Sequence, residues 1–482
     1  MFSLCNKDKY DRIVTYVCLA SSVLFTLALV LMFNISALCQ SSRVEPGQYN
    51  YKDFEKISSE LLKHDFTVFR DSLRQLHPGL YRYRDKTVID SLFDSCFSAL
   101  DTGMTEIEFF SVIKYMISAF EDGHTSAALP HEIVRHILHD VKLFPIQLWL
   151  KNNRAFICCE TKFLPAQTEI IAIDDKPVGK IIPELLKLMP SDGAIKTGKY
   201  WEMNYGDSPF FILYYFAYGD KPAFDVKYKT SAGKEGSVIL KADYFRNLRC
   251  PPEHTKIDSY LNLEIKQNDT AVLTIKTFSD ELLRGTNENF NSFLDSSFTE
   301  MKLKNTKNLI IDLRNNGGGQ DLNGSKLYSY LTGRPFHYYA SLETTRRKLN
   351  EKEHPNLGVL NPPKNNFKGS VFILINGKSF SATAEFCAVA RSSGRAKFIG
   401  EETGGGYYGN TSGGRTTLIL PNTKIRINIP LTEYVMDVRK TGYKDRGIIP
   451  DYKVTPSVKD VINNKDIQLD FALKLAAENK VN

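Results

Sequence analysis

A serine at the start of a helix is the first candidate for chemistry in this sequence. The apolar run Val371–Ile375 predicts a buried strand, and Asn376-Gly377 can turn the chain through left-handed backbone angles. Ser381 then opens a helix of small residues. Unpaired N–H groups at a helix start carry the positive end of its dipole, which suits the oxyanion that an attacking serine creates. An N-cap, the commonest role of such a serine, is the alternative for Ser381, and Ser379 is the second candidate nucleophile.

Two further segments supply what a nucleophilic serine needs. A second apolar strand, Asn308–Leu313, runs into the glycine loop Gly317–Gly319, whose backbone N–H groups can approach a substrate closely because no side chain intervenes. His124 follows an amphipathic helical stretch in the segment Glu-Asp-Gly-His-Thr. A flexible turn and a structural histidine are the plain alternatives. Together, however, a serine, a histidine and an oxyanion loop are the minimum set for acyl transfer.

The motifs resemble those of a known family, the carboxy-terminal processing (tail-specific) serine peptidases, in the branch that includes the tricorn core and the interphotoreceptor retinoid-binding domains. The resemblance is carried by Asp-Leu-Arg-Asn-Asn-Gly-Gly, Ser-Phe-Ser-Ala-Thr-Ala-Glu-Phe, Gly-Glu-Glu-Thr-Gly-Gly-Gly, Gly-Ile-Ile-Pro-Asp and the early Asp-Gly-His-Thr. These segments occur in the family's order between about Phe54 and the C-terminus. The resemblance implies a crotonase-like spiral of β/α units as the catalytic domain.

The catalytic roles that the resemblance implies depart from the tail-specific branch at one position. Where that branch has a catalytic lysine, this chain has Gly404–Gly406, and no lysine lies between Lys397 and Lys424. His124 matches the histidine of the tricorn-like branch, and an ordinary imidazole already titrates near neutrality. The predicted site is therefore Ser381 as nucleophile and His124 as general base and then acid.

The remaining members of the predicted site are the oxyanion donors and the group that orients the histidine. The N–H groups of Gly318 and Ala382 are the expected oxyanion hole. The tricorn-like pattern puts a glutamate shortly before the Gly-x-x-Pro-Asp turn, where this chain has Asp445. Asp445 is the predicted third member, and Glu433 is the other candidate. Either of them could equally be a solvated loop charge.

Composition limits the possible partners and cofactors. The 482 residues suggest two or three domains, and 42% hydrophobic with 24% charged residues is ordinary for a folded protein. A formal net charge of +7 is small for this length, and its scattered lysines and arginines indicate no nucleic-acid footprint. We predict no metal site, because His131, His136 and His139 lack the His-Glu-x-x-His spacing. We predict no organic cofactor either, since every catalytic role has a protein candidate.

The N-terminus indicates export. Residues 13–38 form a mostly apolar run that is longer than the roughly 7–15 residues of a signal-peptide core and suits a membrane span. The small residue Ala37 before Cys39-Gln40 would also suit cleavage by a signal peptidase. Residues 1–43 are therefore interpreted as a signal anchor or a cleaved signal, and the remainder is expected outside the cytoplasm. Five cysteines lie beyond this segment, and most of them are expected to be buried free thiols. They are Cys96, Cys158, Cys159, Cys250 and Cys387.

Three regions follow the leader. Residues 44–130 have helical apolar spacing and carry His124, while residues 140–245 have strand patterns that resemble the family's PDZ-like module, with a plain β-rich spacer as the alternative. Within residues 140–245, the segment Ile181–Met189 is predicted to be a helix. Residues 258–482 alternate strand and helix, which predicts an α/β domain with parallel strands. The expected elements of this domain include the strands Ala271–Ile275, Thr416–Leu420 and Lys424–Ile429 and the helix Ala382–Arg391. PDZ-like modules bind the end of a peptide chain at a sheet edge.

The sequence thus predicts a serine endopeptidase that is exported or membrane-anchored and acts on polypeptides, with cleavage near their C-termini as one option. Two other classes remain open. The first is an inert member of the fold that binds a hydrophobic ligand or a peptide, and the second is acyl-thioester chemistry of the crotonase type. Neither the oligomeric state nor the physiological substrate follows from the sequence.

Overall fold

The computed structural model describes residues 55–161, 163–248, 257–442 and 444–478. The predicted N-terminal segment 1–43 lies outside these ranges, and so does Cys250. Within the ranges given, no helix combines the length and the apolar character that crossing a membrane requires.

The helices and strands have the following bounds. The helices are α1 Ser59–Leu76, α2 Lys86–Ser98, α3 Glu106–Ala119, α4 His131–His139, α5 Val178–Leu186, α6 Thr197–Tyr205, α7 Phe210–Tyr218, α8 Asp280–Gly285, α9 Phe290–Leu303, α10 Asp321–Ser329, α11 Ala382–Ser392, α12 Val458–Ile462 and α13 Ile467–Glu478. The strands are β1 Ser126–Ala128, β2 Lys142–Leu143, β3 Leu148–Lys151, β4 Arg154–Ile157, β5 Glu169–Ile173, β6 Lys176–Pro177, β7 Ala223–Lys229, β8 Glu235–Lys241, β9 Asp243–Tyr244, β10 Leu261–Lys266, β11 Thr270–Ile275, β12 Asn308–Asp312, β13 Tyr339–Glu343, β14 Ser370–Ile375, β15 Lys397–Gly400, β16 Gly409–Ile419, β17 Arg426–Met436 and β18 Tyr452–Lys453.

Helices dominate the first region and bury an aromatic core. The helix Ser59–Leu76 stops before His77-Pro78, because proline disfavours a helical residue in front of it. The helix Glu106–Ala119 begins with a capping box in which Thr105 and Glu108 satisfy each other's backbone N–H groups. The rings that pack between these helices are Phe66, Phe69, Phe93 and Phe120. This packing holds the end of the third helix, from which the segment carrying His124 continues.

The second region is built around an antiparallel sheet with helices inserted between its strands. The strands lie in the order β3-β4-β5-β7-β8, β6 pairs with β5, and β2 and β9 form a separate pair. The sequence predicted the strands and one helix near Ile181–Met189, which the structure has as α5. It did not predict α6 and α7, which follow α5 before the chain returns to the sheet at β7.

The third region contains a six-stranded sheet in the order β10-β11-β12-β14-β15-β18. All neighbouring pairs from β11 to β18 are parallel, as the strand–helix alternation predicted, while β10 pairs antiparallel with β11. Helices α9, α10 and α11 cover one face through a large apolar cluster, and α13 covers the other. Because β12 and β14 are parallel neighbours, their C-terminal ends bring the glycine loop and the serine turn to the same edge.

A further sheet joins the first region to the third. Strand β17 pairs with β1, β13 and β16, all antiparallel. Strand β1 begins two residues after His124, so its pairing with β17 ties the histidine segment to the C-terminal region. Strands β16 and β17 are longer than the predicted strands Thr416–Leu420 and Lys424–Ile429. In β16, a bulge between Ser412 and Arg415 interrupts the alternation of side chains on which the prediction depends.

The cysteines follow the prediction with one correction. Cys96 and Cys387 are buried free thiols, and Cys158 is a free thiol that is half-buried. Cys159, expected as a free thiol, is disulfide-bonded instead. The strand β4 ends at Ile157, so the adjacent pair lies in irregular chain, where the two side chains need not both face the core.

Candidate active site

Ser381 stands on a strained turn between β14 and α11. Its backbone angles are φ +54° and ψ −130°, a combination that residues with a side chain seldom adopt. Its hydroxyl makes no capping hydrogen bond to the helix that it precedes. The structure therefore contradicts the alternative in which Ser381 serves only as an N-cap, since its hydroxyl caps no N–H group of the helix.

The hydroxyl of Ser381 meets the imidazole of His124. The distance between Ser381 Oγ and His124 Nε2 is 3.1 Å, although the two residues are 257 positions apart in sequence. The imidazole also stacks on the ring of Phe380, with 4.5 Å between ring centroids and 24° between planes. Two predicted site residues are thus brought together in hydrogen-bonding geometry.

Asp122 holds the backbone that carries His124. Its Oδ1 accepts hydrogen bonds from the N–H groups of His124 (3.0 Å) and Thr125 (2.8 Å) and from the Thr125 hydroxyl. Its Oδ2 accepts from the hydroxyl of Thr411 and lies 3.7 Å from His77 Nε2. Burial alone would raise the pKa of Asp122, but the neighbouring His77 and the donors around it keep that pKa well below its ordinary value. Asp122 is therefore a buried carboxylate that orients the histidine through its main chain.

The predicted third member does not reach His124. The Nδ1 atom of His124 is buried and has no hydrogen-bond partner among the residues that the structure describes. Glu433 is instead paired with Arg82 at 2.7 Å. The main-chain carbonyl of Asp445 accepts from the N–H of Ala194, whereas its carboxylate makes no hydrogen bond within the described chain. The structure therefore brings neither Asp445 nor Glu433 to the imidazole.

We expect the Asp445→Asn variant to keep the activity of the native protein within about twofold, because a half-exposed side chain away from the reacting groups contributes little. The measurement is the kcat/KM for a fluorogenic peptide at neutral pH, with the Asp122→Asn variant as the contrasting change. Asp122→Asn should lower kcat much more strongly, since it alters the group that holds the main chain of His124. A tenfold or larger loss in Asp445→Asn would show that Asp445 orients His124 in the working enzyme.

The environment of His124 favours its neutral form. Burial lowers its pKa to about 4 from an ordinary value of 6.5; the charge of Asp122 opposes this shift, while Arg415 and His77 add to it. A neutral imidazole can accept the serine proton, and here it persists into mildly acidic solution.

A second titratable group near the site is the buried carboxyl of Asp192. It accepts hydrogen bonds from the N–H groups of Gly123 (2.9 Å) and Gly406 (3.2 Å). Burial and the charge of Asp122 raise the pKa of Asp192 to about 7.

We therefore expect the acid limb of the pH profile to lie closer to pH 4 than to pH 6.5. His124 is unable to act as a base only below its own pKa, and burial has moved that pKa down. The measurement is kcat/KM between pH 3.5 and pH 8, with the fold monitored by circular dichroism. A second limb near pH 7 that disappears in Asp192→Asn would belong to Asp192. A single limb at pH 6.5 in both proteins would contradict the expectation.

The glycine loop lies directly beside the serine turn. A side-chain carbon added to Gly318, where φ is +99°, would stand 2.7 Å from Ser381 Cβ and 2.8 Å from the Phe380 carbonyl oxygen. The N–H of Ala382, one predicted oxyanion donor, has no hydrogen-bond acceptor among the described residues. The N–H of Gly318, the other predicted donor, already donates to the side-chain Oδ1 of Asn316 at 2.9 Å. One of the two donors is thus free, and the second is occupied.

The remaining sequence alternatives are resolved by packing. Ser379 is fully buried, donates to the Leu313 carbonyl at 2.9 Å and accepts from the Asn376 N–H at 3.1 Å, so it supports the turn and does not face the site. Gly405 is the middle residue of Gly404–Gly406, the segment that stands where the tail-specific branch has its lysine. A side-chain carbon there would lie 2.6 Å from Ala384 Cβ. This tight packing leaves no space for a longer residue.

Sequence reasoning missed several residues that shape the site. Asp122 and Asn316 lie in two of the sequence motifs, but the motifs do not indicate their roles. Only the hydrogen bonds show that Asp122 holds the main chain of His124 and that Asn316 accepts from the N–H of Gly318. Asp192 and Thr411 had no sequence signal, because their partners are distant in the chain. Within the described part of the chain, no group of three or more His, Cys, Asp or Glu residues could hold a metal ion.

Comparisons with known proteins identify a family that part of this chain matches. Residues 269–454 match the model of a protein family that is described as Peptidase family S41. The tricorn protease of Thermoplasma acidophilum is 25% identical over 201 residues, which are 41% of this chain and 16% of tricorn. This chain thus spans only about a sixth of that curated relative.

Solved structures show a similar fold over most of the chain. Mature CPAF complexed with lactacystin aligns with a TM-score of 0.60 and 14% identity, over 87% of this chain and 98% of that chain. A second structure of mature CPAF gives a TM-score of 0.59, with 14% identity over 87% of this chain and 97% of that chain. At this identity the likeness concerns the fold alone.

Proposed function

Since residues 269–454 belong to peptidase family S41, the family that the sequence motifs resemble, we propose that this protein is a serine endopeptidase that hydrolyses polypeptides. The observation that carries the proposal is the 3.1 Å contact between Ser381 Oγ and His124 Nε2. The strained backbone of Ser381 adds support, because strain of this kind is retained mainly where a side chain must face a substrate.

The proposed reaction follows from these groups. Neutral His124 accepts the hydroxyl proton through Nε2 as Ser381 Oγ attacks the scissile carbonyl carbon. The negative charge that forms on the carbonyl oxygen lies near the positive end of α11, where the free N–H of Ala382 can donate to it. His124 then gives the proton to the leaving amine, and a water molecule hydrolyses the acyl-enzyme by the same route.

Two features of the site adjust this scheme. Among the described residues His124 Nδ1 has no hydrogen-bond partner, so the imidazolium would be stabilised mainly by the charge of the nearby Asp122 carboxylate. The Gly318 N–H can join the oxyanion hole only by sharing or leaving the Asn316 oxygen. We propose Ala382 as the primary donor and Gly318 as a donor that becomes available when substrate binds.

The same two features favour the alternative, in which the chain is an inert member of the fold that binds a hydrophobic ligand or a peptide. An imidazole whose Nδ1 has no hydrogen-bond partner among the described residues, and a glycine N–H that is already occupied, are what a site without catalysis would tolerate. This alternative differs from the first in one measurable respect, since binding would occur without covalent modification of Ser381.

The finer domain assignment is also a proposal. Residues 258–482 would form the catalytic domain with a crotonase-like spiral, residues 44–130 would supply the base, and residues 140–245 would be a PDZ-like domain. The β-rich region offers the exposed side of β8 as an edge to which a peptide could add, because β8 pairs only with β7 among the described strands.

We further propose that the catalytic part acts outside the cytoplasm. The apolar run at residues 13–38 supports export, either as a cleaved signal or as an anchor. The disulfide bond of Cys159 is a second support, since such bonds persist in oxidising compartments.

The proposed function is tested by incubating the full chain with an unfolded polypeptide such as reduced casein and identifying fragments by mass spectrometry. We expect new internal termini with the native protein and none with Ser381→Ala. Peptides that differ only in a free or an amidated C-terminus will show whether cleavage depends on the chain end. Stoichiometric binding of a fluorescent apolar ligand without any cleavage would favour the inert alternative.

A further inference from the structure

Two consecutive residues at the start of β16 contact both halves of the site. Asn410 and Thr411 are buried, with exposed fractions of 2% and 0%. Successive side chains of a strand point to opposite sides. Accordingly, Asn410 Nδ2 donates to Glu385 Oε1 at 2.8 Å, while the Thr411 hydroxyl donates to Asp122 Oδ2. Glu385 lies on the helix that Ser381 precedes, and Asp122 holds the segment that carries His124.

The contact of Asn410 acts on the helix that carries the serine. Glu385 lies one turn along α11, and its N–H donates to the carbonyl oxygen of Ser381 at 3.0 Å. The second carboxyl oxygen of Glu385 accepts from the hydroxyl of Tyr339 at 2.6 Å. Glu385 is itself buried, so its position is fixed by these two side chains, and the first turn of α11 is fixed with it.

The contact of Thr411 acts on the segment that carries the histidine. Asp122 has no other side-chain donor than Thr125, Thr411 and the nearby His77 among the described residues. It is the acceptor for the main-chain N–H groups of His124 and Thr125. Removing the hydroxyl of Thr411 would leave Asp122 Oδ2 poorly satisfied in a buried place, which allows the carboxylate to turn and the main chain of His124 to move with it.

The beginning of β16 is itself anchored. Thr411 lies opposite Glu433 of β17, and Glu433 pairs with Arg82 at 2.7 Å. Arg82 also donates to the Tyr408 carbonyl oxygen at 3.0 Å. The strand is therefore held against both β17 and the first region. Its fixed backbone keeps the side chains of Asn410 and Thr411, and hence their two contacts, at a constant separation.

We propose that Asn410 and Thr411 are positioning residues that set the separation between Ser381 Oγ and His124 Nε2. They touch neither of these two atoms. They act by holding Glu385 on one side and Asp122 on the other, from a single rigid piece of backbone. The expected effect on kcat rests on the proposed function, whereas the expected effect on the position of His124 does not.

The test is the Thr411→Val variant, which keeps the size and shape of the side chain and removes only its hydroxyl. We expect kcat to fall roughly 10–100-fold with KM within about twofold, because a displaced base slows proton transfer without altering peptide binding. Thr411→Ser should restore most of the rate. The matched control is Thr417→Val on the same strand, whose hydroxyl donates to Asn428 Oδ1 at 2.9 Å on the exposed side and whose loss should leave kcat unchanged.

A second readout separates this inference from the proposed function. In protein with ring-labelled histidine, the His124 resonance, assigned by its loss in His124→Ala, should shift in Thr411→Val and not in Thr417→Val. That shift in a protein that cleaves nothing would support the positioning role and overturn the peptidase proposal. An unshifted resonance, unchanged kcat, or failure of Thr411→Ser to restore a lost rate would overturn the positioning role of the hydroxyl.

Discussion

The Ser381→Ala variant should lose hydrolysis of polypeptides by roughly 10⁴–10⁶-fold in kcat while its fold remains intact. Alanine removes the hydroxyl that His124 Nε2 contacts, so no acyl-enzyme can form on residue 381. The measurement is the rate of casein cleavage at equal protein concentrations, with circular dichroism as the test of folding. The change is nearly isosteric and the hydroxyl makes no capping hydrogen bond, so the variant should keep its fold.

A companion variant makes the result sharper. Ser381→Gly should be as inactive as Ser381→Ala but more resistant to thermal unfolding, by about 1 kcal/mol, because glycine adopts φ +54° without the strain of a side chain. Activity retained in both variants would mean that the nucleophile lies elsewhere. Equal stability of the two would mean that the turn at residue 381 is not strained.

The Gly318→Ala variant should lower the rate of hydrolysis at least roughly 100-fold, since displacements near 1 Å at a reacting centre have effects of that size. The added carbon would lie 2.7 Å from Ser381 Cβ and 2.8 Å from a main-chain oxygen, and neither neighbour can move without shifting the serine turn. The backbone angle φ of +99° adds strain to the clash. The measurement is again kcat, together with thermal unfolding.

Gly233→Ala is the matched control for this change. Gly233 has a similar angle, φ +84°, but a side-chain carbon there would meet nothing within 4 Å. It should therefore lose about 1 kcal/mol of stability through strain alone and keep full activity. If Gly318→Ala kept its activity as Gly233→Ala does, the glycine loop would not lie against the serine in the working enzyme.

The fold was predictable where periodicity is strong. The parallel strands β11, β12 and β14 are continuous apolar runs between turn residues, and α11 lies within one residue of its predicted bounds. Helices α6 and α7 were not predicted. Phe210–Tyr218 is apolar on nearly all sides, and such a run has no period that distinguishes a helix from a strand, while Thr197–Tyr205 has no side-chain cap at its start.

The site was predictable only where a motif carries its own local geometry. The serine turn and the glycine loop each follow a strand directly, so parallel pairing of β12 and β14 brings them together. The prediction of Asp445 as third member rested on a position along the chain. The structure shows that the main chain there is held by Ala194, from a loop 251 residues earlier, while the carboxylate is left out of the site. Contacts of this kind depend on packing between distant loops, which no local pattern encodes.

The most direct test of the account is the rate at which a fluorophosphonate modifies Ser381 in the full chain, compared between the native protein and His124→Ala. In the proposed reaction, His124 Nε2 removes the proton from Ser381 Oγ. We therefore expect mass spectrometry to find the adduct on Ser381 in the native protein, and modification to be slower by roughly 10²–10⁴-fold in His124→Ala. Modification of Ser381 at the same rate in both proteins, or an adduct on a different residue, would contradict it.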